Sequence, residues 1–235
     1  MSLLCLVRHG QASVHAADYD CLSEHGEAQS RALGAHWAAS SRRFDRVYVG
    51  PLRRHQQTHD AVAKIFQERD LAWPDPVPLA ELDEHQGPEV IAHHRADLYR
   101  QAGLEDPGQD DVDQRETLRR YLRIYQLGTR QWIRAELETP SGLESWSTFR
   151  DRIRIGLEAI VARAIKGERV VAFTSGGATA AAVGLVLGLD DEKILELSWR
   201  VRNAALTEVL FSGDRLSLDS FNTTPHLTDD QLTFV

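Results

Sequence analysis

Cysteine is scarce in this chain, with only Cys5 and Cys21 among 235 residues. No charged-then-apolar leader precedes the first apolar segment, so the expectation is a cytosolic chain with free thiols. Long hydrophobic runs are missing too: the longest, residues 178–189, has twelve residues, which suits a core helix and is too short for a membrane span. Positive charge is in deficit, with 27 Lys and Arg against 35 Asp and Glu for a net charge of −8. A phosphate backbone requires a basic surface, so nucleic-acid binding is disfavoured as a main function. No internal repeat or low-complexity tract is visible. What is present is a chain with 42% hydrophobic residues, enough for the full core of one domain.

The most informative stretch is LLCLVRHGQAS, from Leu3 to Ser13. Residues 3–7 form a short apolar run closed by a breaker, the pattern of a buried strand, with Cys5 a small buried side chain inside it. The run delivers Arg8, His9 and Gly10 to its carboxyl end, where open α/β sheets bind ligands. Arg presents a fixed fork of donors matched to phosphate. An imidazole with a pKa of about 6.5 is substantially neutral, and hence nucleophilic, near pH 7. Gly10 lets backbone N–H groups approach the same anion.

The rest of the chain alternates. Residues 23–39 read as a helix with Ser23 as N-cap, 46–49 as a strand, 54–67 as a helix and 77–82 as an extended segment bounded by Pro74, Pro76 and Pro78. After a polar, helix-rich middle come a strand at 169–173, a helix at 177–187 and strands near 204–211 and 215–222. Within the middle, residues 89–102, 115–138 and 145–165 read as helices and 106–113, rich in Asp and Gly, as a surface loop. Phe149, Ile153, Leu157, Ile160 and Ala164 fall at helical spacing, so that helix packs on the core. Alternating strand and helix signals imply a three-layer α/β/α fold with a mostly parallel central sheet. The whole chain, 1–235, is expected to be one domain carrying a helical insertion at about 87–140.

Together these segments resemble the histidine phosphatase superfamily, also called phosphoglycerate mutase-like, whose first strand ends in Arg-His-Gly. LSEHGEAQSRALG (22–34) looks like the family's first helix, and VYVGPLRRHQQTHDA (47–61) resembles its second strand and PLxRxxQT helix start. LAELDEHQG (79–87) is similar to the acidic segment that supplies the proton donor, and VVAFTSGGATAA (170–181) follows in the family's order. The resemblance implies an insertion that roofs the active site, no metal and no cofactor, and a small phosphorylated metabolite as substrate.

It also implies roles. His9 would be the nucleophile, forming a phosphohistidine that water hydrolyses, with Arg8 and Gly10 holding the phosphoryl oxygens. Arg54 would be the second clamp, sharing a helix face with Gln57 and Thr58, while Arg53 lies at the variable surface position. Leu79, Glu81, Leu82 and Glu84 offer two registers for the acid. Glu84 is preferred over Glu81 because a turn follows it directly, and partial burial would keep it protonated. Ser175 is a departure: it stands where the family has a second histidine before two glycines, so a potential cation has become a neutral hydroxyl. A slowed phosphatase is the main expectation; a mutase-type phosphoryl transferase and a weakened phospholigand-binding or regulatory protein are the alternatives. The oligomeric state is not legible.

His55 and His59 lie four apart but in HQQTH, lacking the glutamate of a zinc motif, so a metal role is disfavoured. His25, in the first helical turn, is a candidate to approach the pocket, and His93 and His94 are expected in solvent. Arg119, Arg123, Arg130 and Arg134 form one helical stripe beside Leu118, Leu122 and Tyr125, read first as a salt-bridged solvated face.

Overall fold

Six strands, β1 (Ser2–Arg8), β2 (Arg46–Val49), β3 (Pro76–Pro78), β4 (Arg169–Thr174), β5 (Leu206–Ser212) and β6 (Arg215–Thr223), form one sheet in the order β3-β2-β4-β1-β5-β6 in the computed structural model, which describes residues 1–13, 20–106 and 114–234. The pairs β3-β2, β2-β4 and β4-β1 are parallel, whereas β5 runs antiparallel to β1 and β6 antiparallel to β5. The sheet is therefore mixed, with its parallel part on the β3 side. The turn between β5 and β6 is too short for a crossover, and Gly213 takes a positive φ of 59° in it, so these strands can only form a hairpin.

Side chains alternate across a strand. Cys5, Val7, Val47, Val49, Val171 and Phe173 pack with Leu33 and Trp37 of α1 (Glu24–Ala39) and with Val62 and Phe66 of α2 (Arg53–Glu68). Leu4, Leu6, Val170 and Ala172 point the other way and are buried as well, so both faces of the central strands are covered, as continuous apolar strands require. Burial pushes the Cys5 thiol up to about 12, which makes it an inert apolar side chain. Ser23 caps α1 as the sequence predicts, its Oγ accepting from Gly26 N–H at 3.0 Å.

The chain divides into two units, Met1–Glu84 with Arg152–Val235, and His85–Asp151. The second holds α3 (Gly87–His93), α4 (Arg95–Gln101) and α5 (Gln114–Ile133). The sequence predicts one helix over 89–102; the chain makes two because His94, at φ −94° and ψ 9°, leaves the helical region. The end of α5 also comes earlier than the predicted 138, since Ala135 adopts a positive φ of 56°, a helix-stopping conformation. Positions 107–113 of the expected Asp/Gly loop lie outside the described residues. Trp132, Trp146 and Phe149 enclose His85 in this unit, and Ile91, Leu98, Tyr99 and Ile124 form its other apolar cluster.

Two further differences have local causes. The predicted extended segment 77–82 is strand only to Pro78, because prolines cannot extend a hydrogen-bond ladder; Ala80–Leu82 then forms a 3-10 turn. The helices α6 (Trp146–Arg163) and α7 (Gly176–Leu187) match their patterns, but α8 (Asp191–Ser198) is only eight residues long, too short to show a period. Its one legible signal is the Asp190 cap, which accepts from Lys193 N–H at 2.8 Å.

The loop after β1 is pressed onto α1. A Cβ on Gly26 would fall inside the Gln11 carbonyl, and one on Gly10 would fall inside that of Gly26. Gly26→Ala is therefore expected to force the backbone apart at a cost of about 2–3 kcal/mol. In a chain of this size that lowers the thermal midpoint by about 4–12 °C, and a calorimetric scan showing no drop would refute the contact.

Candidate active site

The pairing of β1 with β4 sets Arg8 beside Thr174, and the next residue extends it: His9 N–H donates to the Thr174 carbonyl at 2.9 Å. His9 and Ser175 consequently leave the carboxyl edge of the sheet side by side. The His9 ring is buried, with Nδ1 2.7 Å from the Gly10 carbonyl. A carbonyl only accepts, so Nδ1 carries the proton and Nε2 presents its lone pair. That lone pair faces Arg54, whose Nε–H donates to it at 3.1 Å. Burial first, then the charges of Arg8 and Arg54 and the neighbouring His55, hold the imidazole well below its ordinary pKa, leaving it neutral at pH 7.

Arg54 is itself fixed from outside its helix. Leu52, the N-cap of α2, has no side-chain acceptor, and Asp20 serves instead. Its carboxylate accepts from the N–H of Arg53 at 2.9 Å, from the N–H of Arg54 at 3.4 Å and from Arg54 Nη1 at 3.1 Å. A negative group at a helix N-terminus is favourable by itself; here it also aims the guanidinium. Gly10 N–H donates to Thr58 Oγ1 at 3.1 Å, and Leu22 N–H donates to Gln57 Oε1 at 2.8 Å. The face of Arg54, Gln57 and Thr58 thus docks on the loop after β1, while Arg53 is exposed. Sequence reading missed Asp20, because an acid more than thirty positions ahead of a helix carries no local capping signal.

The acidic segment is pinned by three devices. Thr174 Oγ1 donates to the Leu82 carbonyl at 2.6 Å, and Arg152 donates to the carbonyls of Glu81, Asp83 and Glu84 at 3.1, 3.0 and 3.2 Å. The third is the carboxylate of Glu84, which accepts from Gly177 N–H in the first turn of α7 at 3.0 Å. Glu81 lies elsewhere, its Cβ against Gly156 of α6, where an added Cβ would come within 2.8 Å. Asp83, whose carboxylate accepts from Glu84 N–H at 2.8 Å, has its pKa raised by burial.

Ser175 is buried at the N-cap of α7, its Oγ 2.6 Å from Nε2 of an equally buried His55. The rings of His55 and His9 are 5.8 Å apart. His59 points away and meets Asp60 at 2.8 Å and the Trp73 indole at 3.1 Å, so the two α2 histidines do not converge. His25 meets the Gln231 carbonyl at 3.1 Å. Arg8 donates to the carbonyls of Val201 and Phe234, and its guanidinium runs beside Gly176. Arg123 and Arg130 line a cavity of about 370 Å³ with Gln101, Ala102, Gln126 and Leu127, wholly within the helical unit. Among the described residues no helix is long and apolar enough to cross a membrane.

This chain matches the family model described as the histidine phosphatase superfamily (branch 1) over residues 4–121 and 112–224. No curated protein matches it. Similar solved structures include phosphoglycerate mutase from Bacillus anthracis, at 17% identity and a TM-score of 0.64 over 96% of this chain and 94% of that one. Another is the alpha-ribazole phosphatase of Shigella flexneri, 18% identical with a TM-score of 0.61 over 94% and 96% of the two chains. Phosphoserine phosphatase from Entamoeba histolytica, in complex with 3-phosphoglyceric acid, is 15% identical with a TM-score of 0.60 over 97% and 100%. At these identities the likeness is one of fold: the six strands and eight helices among the described residues of this chain form an α/β arrangement of the phosphoglycerate mutase-like kind.

The two facing histidines make stability depend on pH. Burial, and then the charge of Arg54, lower His55 to about 3, and His9 is also lowered. With folded-state values below the unfolded value of about 6.5, the unfolded chain takes up protons first as pH falls. Their contribution is complete above about pH 6.5 and shrinks below it, by about 1.4 kcal/mol at pH 5.5 for His55, with His9 acting in the same direction. The thermal midpoint is expected to fall between pH 7.5 and 5.5, with about 3–6 °C of the fall due to His55, and the fall to be smaller in His55→Gln. An acid slope identical in the two proteins would mean that His55 is charged in the folded state.

Proposed function

Since the chain belongs to the histidine phosphatase superfamily, branch 1, we propose that it hydrolyses a small phosphomonoester through a phosphohistidine on His9. The observation that carries this reading is the His9 ring: its proton is fixed on Nδ1 by Gly10, and its Nε2 lone pair faces the Arg54 guanidinium. A phosphomonoester brings about −1.5 to −2 charges at neutral pH. Arg54 would turn its N–H from Nε2 to the equatorial oxygens as phosphorus takes the lone pair, and Arg8, at the same strand end, would add the second positive charge. Such charge neutralisation and positioning supply most of the catalysis in phosphoryl transfer.

In the first step the Nε2–P bond forms, the P–O bond to the leaving group breaks, and Glu84 gives its proton to the departing oxygen. A phosphoryl dianion beside a carboxyl group favours the protonated acid this step requires. In the second, water attacks phosphorus, its proton passes to the Glu84 carboxylate, and the N–P bond breaks to release inorganic phosphate and the starting imidazole. Glu84 is assigned the proton because its carboxylate sits at the first turn of α7, one element from His9. Glu81, against Gly156, is assigned no step. The helical unit His85–Asp151 is also assigned no step.

Two measurements test this. Incubation with a phosphate donor and a rapid quench should trap base-stable, acid-labile label on His9 that is absent in His9→Ala; label persisting in the variant sinks the nucleophile assignment. With an alkyl phosphate, whose leaving group must be protonated, Glu84→Gln should lower turnover about 100- to 10,000-fold and Glu81→Gln far less. With an aryl phosphate the gap should narrow, and a larger loss in Glu81→Gln would reverse the assignment.

A further inference from the structure

Arg8 and Arg54, the two cations beside His9, are held in different ways. Arg54 is fixed by the carboxylate of Asp20. The Arg8 Nη1 group donates instead to two backbone carbonyls, that of Val201, in the segment before β5, and that of Phe234, at 2.8 Å. A guanidinium is rigid and planar, so two acceptors on one of its nitrogens fix the whole fork. Neutral carbonyls fix it without cancelling its charge, and that charge acts on the His9 ring. We propose that residues 231–234 form a strap that belongs to the active site: tied down by Gln29, it uses the Phe234 carbonyl to aim Arg8 at the phosphoryl group on His9. The proposal rests on the reading of Arg8 as a phosphoryl clamp.

Buried amides set the position of the strap. Gln29 of α1 is fully buried, so its oxygen and both its N–H groups require partners. Its Oε1 accepts from Gln11 N–H at 2.9 Å, and its Nε2 donates to the Gln231 carbonyl at 2.7 Å and to Thr233 Oγ1 at 2.9 Å. Thr233 Oγ1 in turn donates to Oδ1 of the fully buried Asn203 at 2.9 Å, and Asn203 N–H donates to the Thr233 carbonyl at 2.9 Å. The network also borders His9: Gln11 follows it by two residues, and Ala204 N–H donates to its carbonyl at 3.1 Å. One set of polar contacts therefore joins the strap to both backbone segments beside the nucleophile. Beyond it the Arg202 guanidinium lies 5.6 Å from the centre of the Phe234 ring. Residues 231–233 are only half-buried and Phe234 is exposed, so apolar burial contributes little here and the hydrogen bonds decide where the Phe234 carbonyl lies. Gln29, Thr233 and Asn203 are positioning residues in this scheme, and Arg8 makes the contact.

Hydrolysis of an aryl phosphate and the affinity for inorganic phosphate, followed together with the thermal midpoint, test the strap. A chain ending at Leu232, which lacks the Phe234 carbonyl, should lose about 10- to 100-fold in kcat/KM and bind inorganic phosphate about tenfold more weakly, with little change in the thermal midpoint. Thr233→Val, which keeps the shape but removes the hydroxyl, and Gln29→Met, which keeps the length but removes the amide, should each lose about three- to tenfold. In the Arg8→Ala background these changes should cost no more than about twofold further, because the strap acts through Arg8. Losses that multiply with Arg8→Ala overturn the proposal, as does a shortened chain, or a pair of single variants, within about twofold of the full chain in both measurements. Should the shortened chain not fold, Thr233→Val decides by the same two criteria. If the full chain hydrolyses no phosphomonoester, the phosphohistidine reading fails and phosphate affinity alone decides the strap; a full chain that neither hydrolyses nor binds phosphate removes both.

Discussion

Parallel pairing of β1 with β4 is the constraint on which the site depends. Its register ends both strands at one level and is prolonged by the His9 N–H to Thr174 carbonyl bond. That register places three separate stretches of sequence within reach of each other: Arg8-His9-Gly10, Ser175-Gly176-Gly177, and, through Thr174 Oγ1 on the Leu82 carbonyl, the segment carrying Glu84. Slipping either strand by one residue would turn every side chain to the other face of the sheet. Because Cys5, Val7, Val171 and Phe173 are buried on one face and Leu4, Leu6, Val170 and Ala172 on the other, the core holds the register and the register holds the chemistry.

Electrostatics then acts on a geometry already fixed. Arg54 carries a charge into a buried setting, and Asp20 compensates it while filling the capping position that Leu52 leaves unsatisfied. At an effective dielectric of about 20, two unit charges 4 Å apart interact by about 4 kcal/mol. A third and fourth cation beside Arg8 and Arg54 would therefore be costly, and His9 and His55 are held neutral by burial and by these same guanidinium groups. Neutrality is also what a nitrogen nucleophile requires. One arrangement thus avoids excess charge and supplies a lone pair at Nε2.

Much of this could be read from the chain because the features concerned are local. The β1 run, the Ser23 cap, the β2 strand and the first helical positions of α2 are set by neighbouring residues, and they appear within a residue of their predicted limits. Local patterning does not reach the antiparallel β5-β6 edge, the break at His94 or the eight-residue α8, where a turn, one backbone angle and a single Asp cap decide the outcome. Glu81 and Glu84 are equivalent as letters in LAELDEHQG. Arg152, from a helix nearly seventy residues on, clamps the carbonyls around both, and the resulting backbone path sends the Glu84 carboxylate to α7 and sets the Glu81 Cβ against Gly156.

His55 shows why a departure from a pattern has to be interpreted in space. In the linear chain it sits next to Arg54 and four residues before His59, so helical periodicity pairs it with the wrong partner. About 100° of rotation separates successive residues on a helix, enough to carry His55 off the face of Arg54, Gln57 and Thr58 and onto β4. There, Gly50 leaves room for the ring because a Cβ at that position would strike Nδ1. A serine at 175 leaves the matching room on the other side; a histidine at 175 would compete with His55 for the same volume. Small residues at 50 and 175 and the large one at 55 are therefore one packing solution at the end of β4.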